Sequence, residues 1–240
     1  MEHYKPIIKR APCHDEPLRI AVLVSGNGSN LKAMLDYQTQ NPGCFKIALV
    51  LCNDAKARAV IFTKKAKIPF FVISHKNFTV RKKFEDCFLE KLFEYNIELV
   101  VLAGFMRVLS KHFIDSFNNK IVNVHPALCP AFPGLHATKQ AIEHGAKISG
   151  CTVHLVNEGV DEGPILAQEA VYVFPHDTEK TLQARIQSKE HILLSHVVHQ
   201  IAQGLIWTNG KKSKQVIFND NFKAPRNSCS EISISSLPLR

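Results

Sequence analysis

The stretch RIAVLVSGNGSNLKAML, residues 19–35, decides the fold. Its first part, RIAVLVS (19–25), is an unbroken apolar run bounded by glycine, the pattern of a strand buried on both faces. SGNGSN (25–30) is a glycine-rich turn, and from Leu31 to Tyr37 the apolar spacing becomes helical. Strand, glycine turn and helix in that order open a βαβ unit. A purely structural reading of the turn has Ser29 or Asn30 capping the helix.

The same alternation repeats outward. FKIALVLC (45–52) reads as a second strand, followed by a helical stretch from Ala55 to Lys67, and FFVI (70–73) as a short third. TVRKKFEDCFLEKLFEYN (79–96) places Phe84, Cys87, Phe88, Leu92 and Phe93 on one helical face. ELVVLA (98–103) is a fourth strand. Strands alternating with helices predict an open, mostly parallel sheet covered on both sides. The pattern then changes. KIVNV (120–124) runs into a proline-rich loop, and GCTVHLV (150–156) and PILAQEAVYV (164–173), separated by NEGVDEG, suggest antiparallel pairing. A long helix from Thr178 to Gln203, capped by Asp177 or Thr178, closes the core. The expected organisation is an N-terminal extension outside the core (1–18), one α/β domain (19–204) and a partly mobile C-terminal extension (205–240). Within the last, KKSKQVIFND offers an edge strand.

The composition of the 240 residues, 45% hydrophobic and 21% charged, is that of a soluble globular protein. No apolar run is long enough to span a bilayer, and the first residues lack an apolar signal core, so a cytoplasmic protein is expected. The seven cysteines are scattered and never in C-x-x-C spacing, which argues for reduced thiols and against a zinc site. Cys44, Cys52 and Cys151 are expected in the core; Cys129 is a nucleophile candidate without an adjacent base. The net charge of +9, concentrated between Lys56 and Lys91 and again beyond residue 205, favours anionic ligands. No nucleic-acid-binding motif accompanies it.

Four segments can carry chemistry. SGNGSN presents backbone N–H groups at the positive end of a helix, a phosphate site. It is not the dinucleotide fingerprint, because the third glycine of that motif would be Leu31. LAGFMRVLS (102–110) breaks a strand at Gly104, and Met106, Val108 and Leu109 are placed to line a flat apolar pocket. In NVHPALCPAFPGLH (123–136), Asn123 and His125 lie two apart on a strand and point to one side. The prolines stiffen the loop beyond His125. Asp161, in the glycine-bounded loop NEGVDEGP (157–164), is a carboxylate able to pair with a histidine and raise its pKa.

Together, SGNGSNL, LAGFMRVLS, NVHPALCPAFPGLH, the G-V-D-E-G-P loop and ARIQSKEH (184–191) resemble the glycinamide ribonucleotide formyltransferase family of purine biosynthesis, from about Arg19 to Gly204. The resemblance implies a Rossmann-like three-layer α/β formyltransferase fold, with a mixed, mostly parallel sheet. It implies transfer of a formyl group from the cosubstrate 10-formyltetrahydrofolate to the amine of glycinamide ribonucleotide, without a metal, by an enzyme that is a monomer or homodimer. The family's catalytic trio falls on Asn123, His125 and Asp161. Its ribonucleotide and phosphate contacts fall on Gly28, Ser29 and Asn30, and on Gln187, Ser188, Lys189 and Glu190. Its folate contacts fall on Arg81, on Met106, Arg107, Val108 and Leu109, and on Asn123, Asn157, Glu158, Gly159, Val160 and Asp161. Ala170, beside Glu169, stands where relatives can carry a basic residue, which is expected to alter phosphate affinity.

Formyltetrahydrofolate deformylase, a hydrolase with a similar trio, normally carries an N-terminal regulatory domain; about 18 residues precede the first strand here. Methionyl-tRNA formyltransferase has a C-terminal RNA-binding domain for which residues 205–240 are too short. A catalytically silent phosphate-binding module would bind phosphate without turnover.

Overall fold

The computed structural model describes residues 4–9, 16–209 and 216–218. In chain order the strands and helices are β1 (Lys5–Pro6), β2 (Leu18–Val24), α1 (Ser29–Gln40), β3 (Phe45–Cys52), α2 (Ala59–Ala66), β4 (Phe70–Val72), α3 (Arg81–Glu94), β5 (Leu99–Leu102), α4 (Lys111–Ser116), β6 (Ile121–His125), α5 (Ala137–Glu143), β7 (Ile148–Leu155), β8 (Ile165–Tyr172), α6 (Glu179–Ala202), β9 (Ile206–Thr208) and β10 (Val216–Phe218).

Seven strands form the central sheet in the order β4-β3-β2-β5-β6-β7-β8. The first five run parallel, and β7 and β8 are antiparallel to their neighbours. The mixed, mostly parallel α/β architecture is therefore as the sequence predicts. Alternate residues of β2 serve two cores. Ile20, Val22 and Val24 pack with Leu31, Met34, Leu182 and Ile186 beneath α1 and α6. Ala21 and Leu23 pack with Phe84, Phe88, Leu92 and Phe113 beneath α3 and α4. Two covered faces explain why the parallel strands read as continuous apolar runs.

From β2 the chain builds outward to β3 and β4, then crosses to the other side of β2 for β5 and β6. The strand order reverses between β2 and β5, so their carboxyl ends open a crevice, the default ligand position in such sheets. Ser25 ties the two rims of that crevice together. Its N–H donates to the Gly104 carbonyl at 3.1 Å and its hydroxyl accepts from the Met106 N–H at 2.8 Å.

Several expectations need correction. The N-terminal segment is not wholly outside the core: Ile7 and Ile8 are each 6% exposed, and β1 pairs with β9 in a separate three-stranded sheet. The strand expected in KKSKQVIFND is β10, and it joins this small sheet. Phe93 is 56% exposed and stacks on Phe117, whereas Glu85, not expected inside, is buried on α3. Helix α1 starts from Gly28 in a left-handed conformation with no side-chain cap, because the side chains of Ser29 and Asn30 bond to α6. Thr178 caps α6 as expected. Cys13, Cys229 and the basic tail beyond Phe218 lie outside the described residues. No helix among those described is long and apolar enough to cross a membrane.

Candidate active site

Strand β6 delivers Asn123 and His125 to the same side, and β7 lies antiparallel beside it with Asn123 opposite His154. The loop between β7 and β8 folds back over this strand end. Its Asp161 adopts a left-handed backbone at φ 55°, which short polar side chains tolerate better than most. Gly163 makes the return possible, since a Cβ there would lie 1.6 Å from the Leu155 carbonyl oxygen.

The loop brings the Asp161 carboxylate between four groups. Oδ2 lies 3.2 Å from His125 Nδ1 and accepts the Gly134 N–H at 2.8 Å. Oδ1 lies 3.5 Å from His154 Nε2 and accepts from Asn123 Nδ2 at 3.4 Å. On the far side of the ring, His125 Nε2 lies 2.8 Å from the Phe132 carbonyl oxygen. The proline-rich loop thus holds His125 and Asp161 at once, through Phe132 and Gly134. Burial alone would raise the Asp161 carboxyl, but the contacts from His154, the Gly134 N–H and His125 outweigh it and keep it below its ordinary value. For His125, burial pushes the imidazole below its usual value, and Asp161 and the Phe132 carbonyl push back without overcoming it. The expected raising by Asp161 is present but is the smaller effect. Both ring nitrogens face acceptors, so the imidazolium is the form in which both contacts are hydrogen bonds.

His154 is absent from the sequence reading. It is 2% exposed and sits inside the apolar run of β7. Its Nδ1 lies 2.9 Å from the Leu155 carbonyl oxygen, and its Nε2 lies 3.2 Å from Asn123 Nδ2. Asn123 Nδ2 therefore lies between His154 Nε2 and Asp161 Oδ1.

A second group of expected residues meets where the 28–30 turn faces α6. Gln187 Nε2 donates to Ser29 Oγ at 2.8 Å, and Asn30 Nδ2 donates to Glu190 Oε2 at 3.0 Å. Burial pushes the Glu190 carboxyl up, with the Asn30 bond offsetting part of the rise. Asn30 Oδ1 is buried without a hydrogen-bond partner. Ser188 and Lys189 do not join this cluster. Ser188 donates to the Arg185 carbonyl of its own helix at 2.7 Å, and Lys189 lies 3.8 Å from Glu169. A cleft of about 530 Å³ opens beside Ser29 and is bordered by Lys32, Arg58 and His191.

The third group rims the crevice. Met106 and Val108 are 66% and 60% exposed, whereas Leu109, expected in the pocket, is buried in the core below α3. The Arg107 guanidinium lies over the Phe84 ring, and Arg81 donates to the Val108 carbonyl. In the Asp161 loop, Asn157 accepts from the Gly159 N–H at 3.1 Å, Glu158 pairs with Lys111 at 3.2 Å, and Val160 is exposed. Cys129 is buried, and its N–H donates to the Thr152 hydroxyl at 2.9 Å.

Comparison with known proteins agrees with this architecture. The formyl transferase family model matches residues 18–198. Phosphoribosylglycinamide formyltransferase of Bacillus subtilis is 37% identical over 183 residues, covering 76% of this chain and 94% of that protein. The trifunctional purine biosynthetic protein adenosine-3 of Homo sapiens is 41% identical over 195 residues, covering 80% of this chain; the chain spans 19% of that relative's length. It spans 14% of the corresponding protein of Chironomus tentans. The crystal structure of glycinamide ribonucleotide transformylase 1 from Symbiobacterium toebii superposes with a TM-score of 0.76 at 40% identity, covering 79% of this chain and 90% of that one. With its fold and its sequence in agreement over the same span, the chain belongs to the formyl transferase family, in the branch of the phosphoribosylglycinamide formyltransferases.

Proposed function

We propose that this chain transfers a formyl group from 10-formyltetrahydrofolate to the primary amine of glycinamide ribonucleotide, a step of purine biosynthesis. The observation that carries this reading is the Asp161 carboxylate held between His125 Nδ1 and Asn123 Nδ2, at 3.2 and 3.4 Å.

Direct transfer forms a bond from the amine nitrogen to the formyl carbon and breaks that carbon's bond to the folate nitrogen. Negative charge develops on the formyl oxygen and positive charge on the attacking nitrogen. His125 and Asn123 answer the first. The Nε2–H leaves the Phe132 carbonyl for the oxygen, and Asn123 gives up its longer bond, to Asp161, in favour of the same oxygen. Burial opposes the charge of the imidazolium, while the Asp161 carboxylate and the new negative charge on the formyl oxygen favour it, so His125 donates through its Nε2–H with no net gain of a proton. Asp161 stays ionised, orients the ring and, through a water, moves the amine proton towards the departing folate nitrogen.

The turn at Gly28, Ser29 and Asn30 takes the phosphate on backbone N–H groups at the positive end of α1. The buried Asn30 Oδ1 and the Glu190 carboxylate accept donors from the rest of the ribonucleotide, towards its glycinamide end. Exposed Met106, Val108 and Val160 offer apolar surface to the folate ring.

Release of deformylated folate from a 10-formylfolate, followed with and without glycinamide ribonucleotide, tests the reading. Release that requires the ribonucleotide supports the transferase. Release without it identifies a hydrolase. No release from folded protein that still binds the ribonucleotide identifies a silent binding module.

A further inference from the structure

Glu85 stands out on α3. It lies in the charged stretch RKKFEDC, yet it is 2% exposed. A carboxylate in such a place costs stability unless donors satisfy it. Here Oε1 accepts from Arg81 Nε at 3.1 Å and from the Ser110 N–H at 2.9 Å, and Oε2 accepts from the Ser110 hydroxyl. Two of these three donors belong to the residue that ends the crevice segment and caps α4. The Ser110 hydroxyl gives its hydrogen to Glu85 and keeps a lone pair for the Phe113 N–H. Arg81, held by Glu85, donates to the Val108 carbonyl. At the other end of the segment the Met106 N–H is held by Ser25 at 2.8 Å.

We infer that Glu85 is a positioning residue for the formyl donor: through Ser110 and Arg81 it sets the backbone of residues 106–110, whose exposed Met106 and Val108 face the crevice. An arginine–glutamate pair serving α3 alone would sit on the solvated face and would make no bonds to residue 110. An apolar side chain would fill the same space more cheaply, so the carboxylate is explained by what it orients. The inference rests on the proposed folate-dependent function for the identity of the ligand, and on geometry alone for the clamp.

Glu85→Gln is the informative variant. A glutamine oxygen still accepts from Arg81 and the Ser110 N–H, but its NH₂ meets the Ser110 hydroxyl where an acceptor is required. Amide hydrogen exchange across residues 104–111 and steady-state kinetics are measured on Glu85→Gln, on Ser110→Ala, and on Glu85→Asp as the conservative control. The expected result is about tenfold faster exchange at residues 108–110, with the β5 amides unchanged. It includes a KM for the formyl donor raised about tenfold, with kcat and the ribonucleotide KM within about twofold, and partial recovery in Glu85→Asp. Unchanged exchange, or equal rises in both KM values, would overturn the inference. Absence of transfer by the unmodified chain refutes the proposed function instead, and the exchange of residues 108–110 still decides the clamp.

Discussion

Asp161 Oδ2 lies 3.2 Å from His125 Nδ1 and takes the Gly134 N–H at 2.8 Å, so one carboxylate oxygen joins the histidine to the loop that stiffens it. Replacing Asp161 by Asn keeps the size of the side chain and tolerates the left-handed backbone at this position. It removes the charge that, in the proposed mechanism, orients the ring and relays the amine proton. Turnover is expected to fall about 10²- to 10⁴-fold with the thermal midpoint little changed. Single-turnover kinetics beside a circular-dichroism melt checks both halves.

His125→Ala tests the other partner. The ring is 4% exposed, so its removal leaves a cavity beside Phe132 as well as an absent donor. Turnover should drop about 10²-fold or more while the sheet survives. Near-normal turnover in a folded variant would take His125 out of the mechanism.

Stability should weaken on mild acidification. Burial holds His125, His191, His196 and His199 below the ordinary histidine value of 6.5. Between each lowered value and 6.5 the unfolded chain binds more protons than the folded one. The contribution is therefore complete above pH 6.5 and is lost as pH falls through this window. Urea midpoints from pH 7.5 downward should decline with net proton uptake on unfolding, and His199→Gln should flatten the slope.

Glu190→Gln should separate stability from binding. A buried carboxylate whose pKa is raised costs stability above its unfolded value, so neutralising it is expected to stabilise the fold at pH 7. The same change is expected to raise the ribonucleotide KM about tenfold, because the charged acceptor beside Asn30 is gone. A melt together with initial rates at varied ribonucleotide decides it.

Gly28→Ala should be costly in a different way. Gly28 has φ 72°, and a Cβ there would lie 2.7 Å from the Ala59 Cβ and 2.9 Å from its Cα. The turn must shift away from α2, at a cost of about 1 to 3 kcal/mol, with the phosphate turn displaced. Inorganic phosphate as an inhibitor should weaken in parallel with stability.

Much of the fold and of the site is legible in the sequence alone. The strands of the parallel half declare themselves because each is covered on both faces and so is apolar at consecutive positions, as Ile20 to Val24 are. Asn123 and His125 can be paired because a strand repeats every two residues. His154 cannot, because its place opposite Asn123 depends on the β6–β7 register, which no local pattern carries. The available signal is a polar residue inside an otherwise apolar strand, and it reads equally well as a satisfied core histidine. Glu85 stays hidden for the opposite reason: a glutamate among lysines reads as solvent-facing, and only the packing of Ser110 against α3 makes it internal. The expected caps of α1 fail because the Ser29 and Asn30 side chains bond across to α6, residues more than a hundred positions away.

The small sheet has a consequence for how the molecule comes off the ribosome. Lys5 pairs with Thr208, and the Ile7 N–H bonds to the Ile206 carbonyl at 3.1 Å. Strand β1 thus finds its partner only after α6 has emerged. Until then Ile7 and Ile8 have no β9 to lie against, and this apolar segment waits for its cover while the residues between it and β9 are made. Closing so long a loop adds little to the equilibrium cost but much to the waiting time.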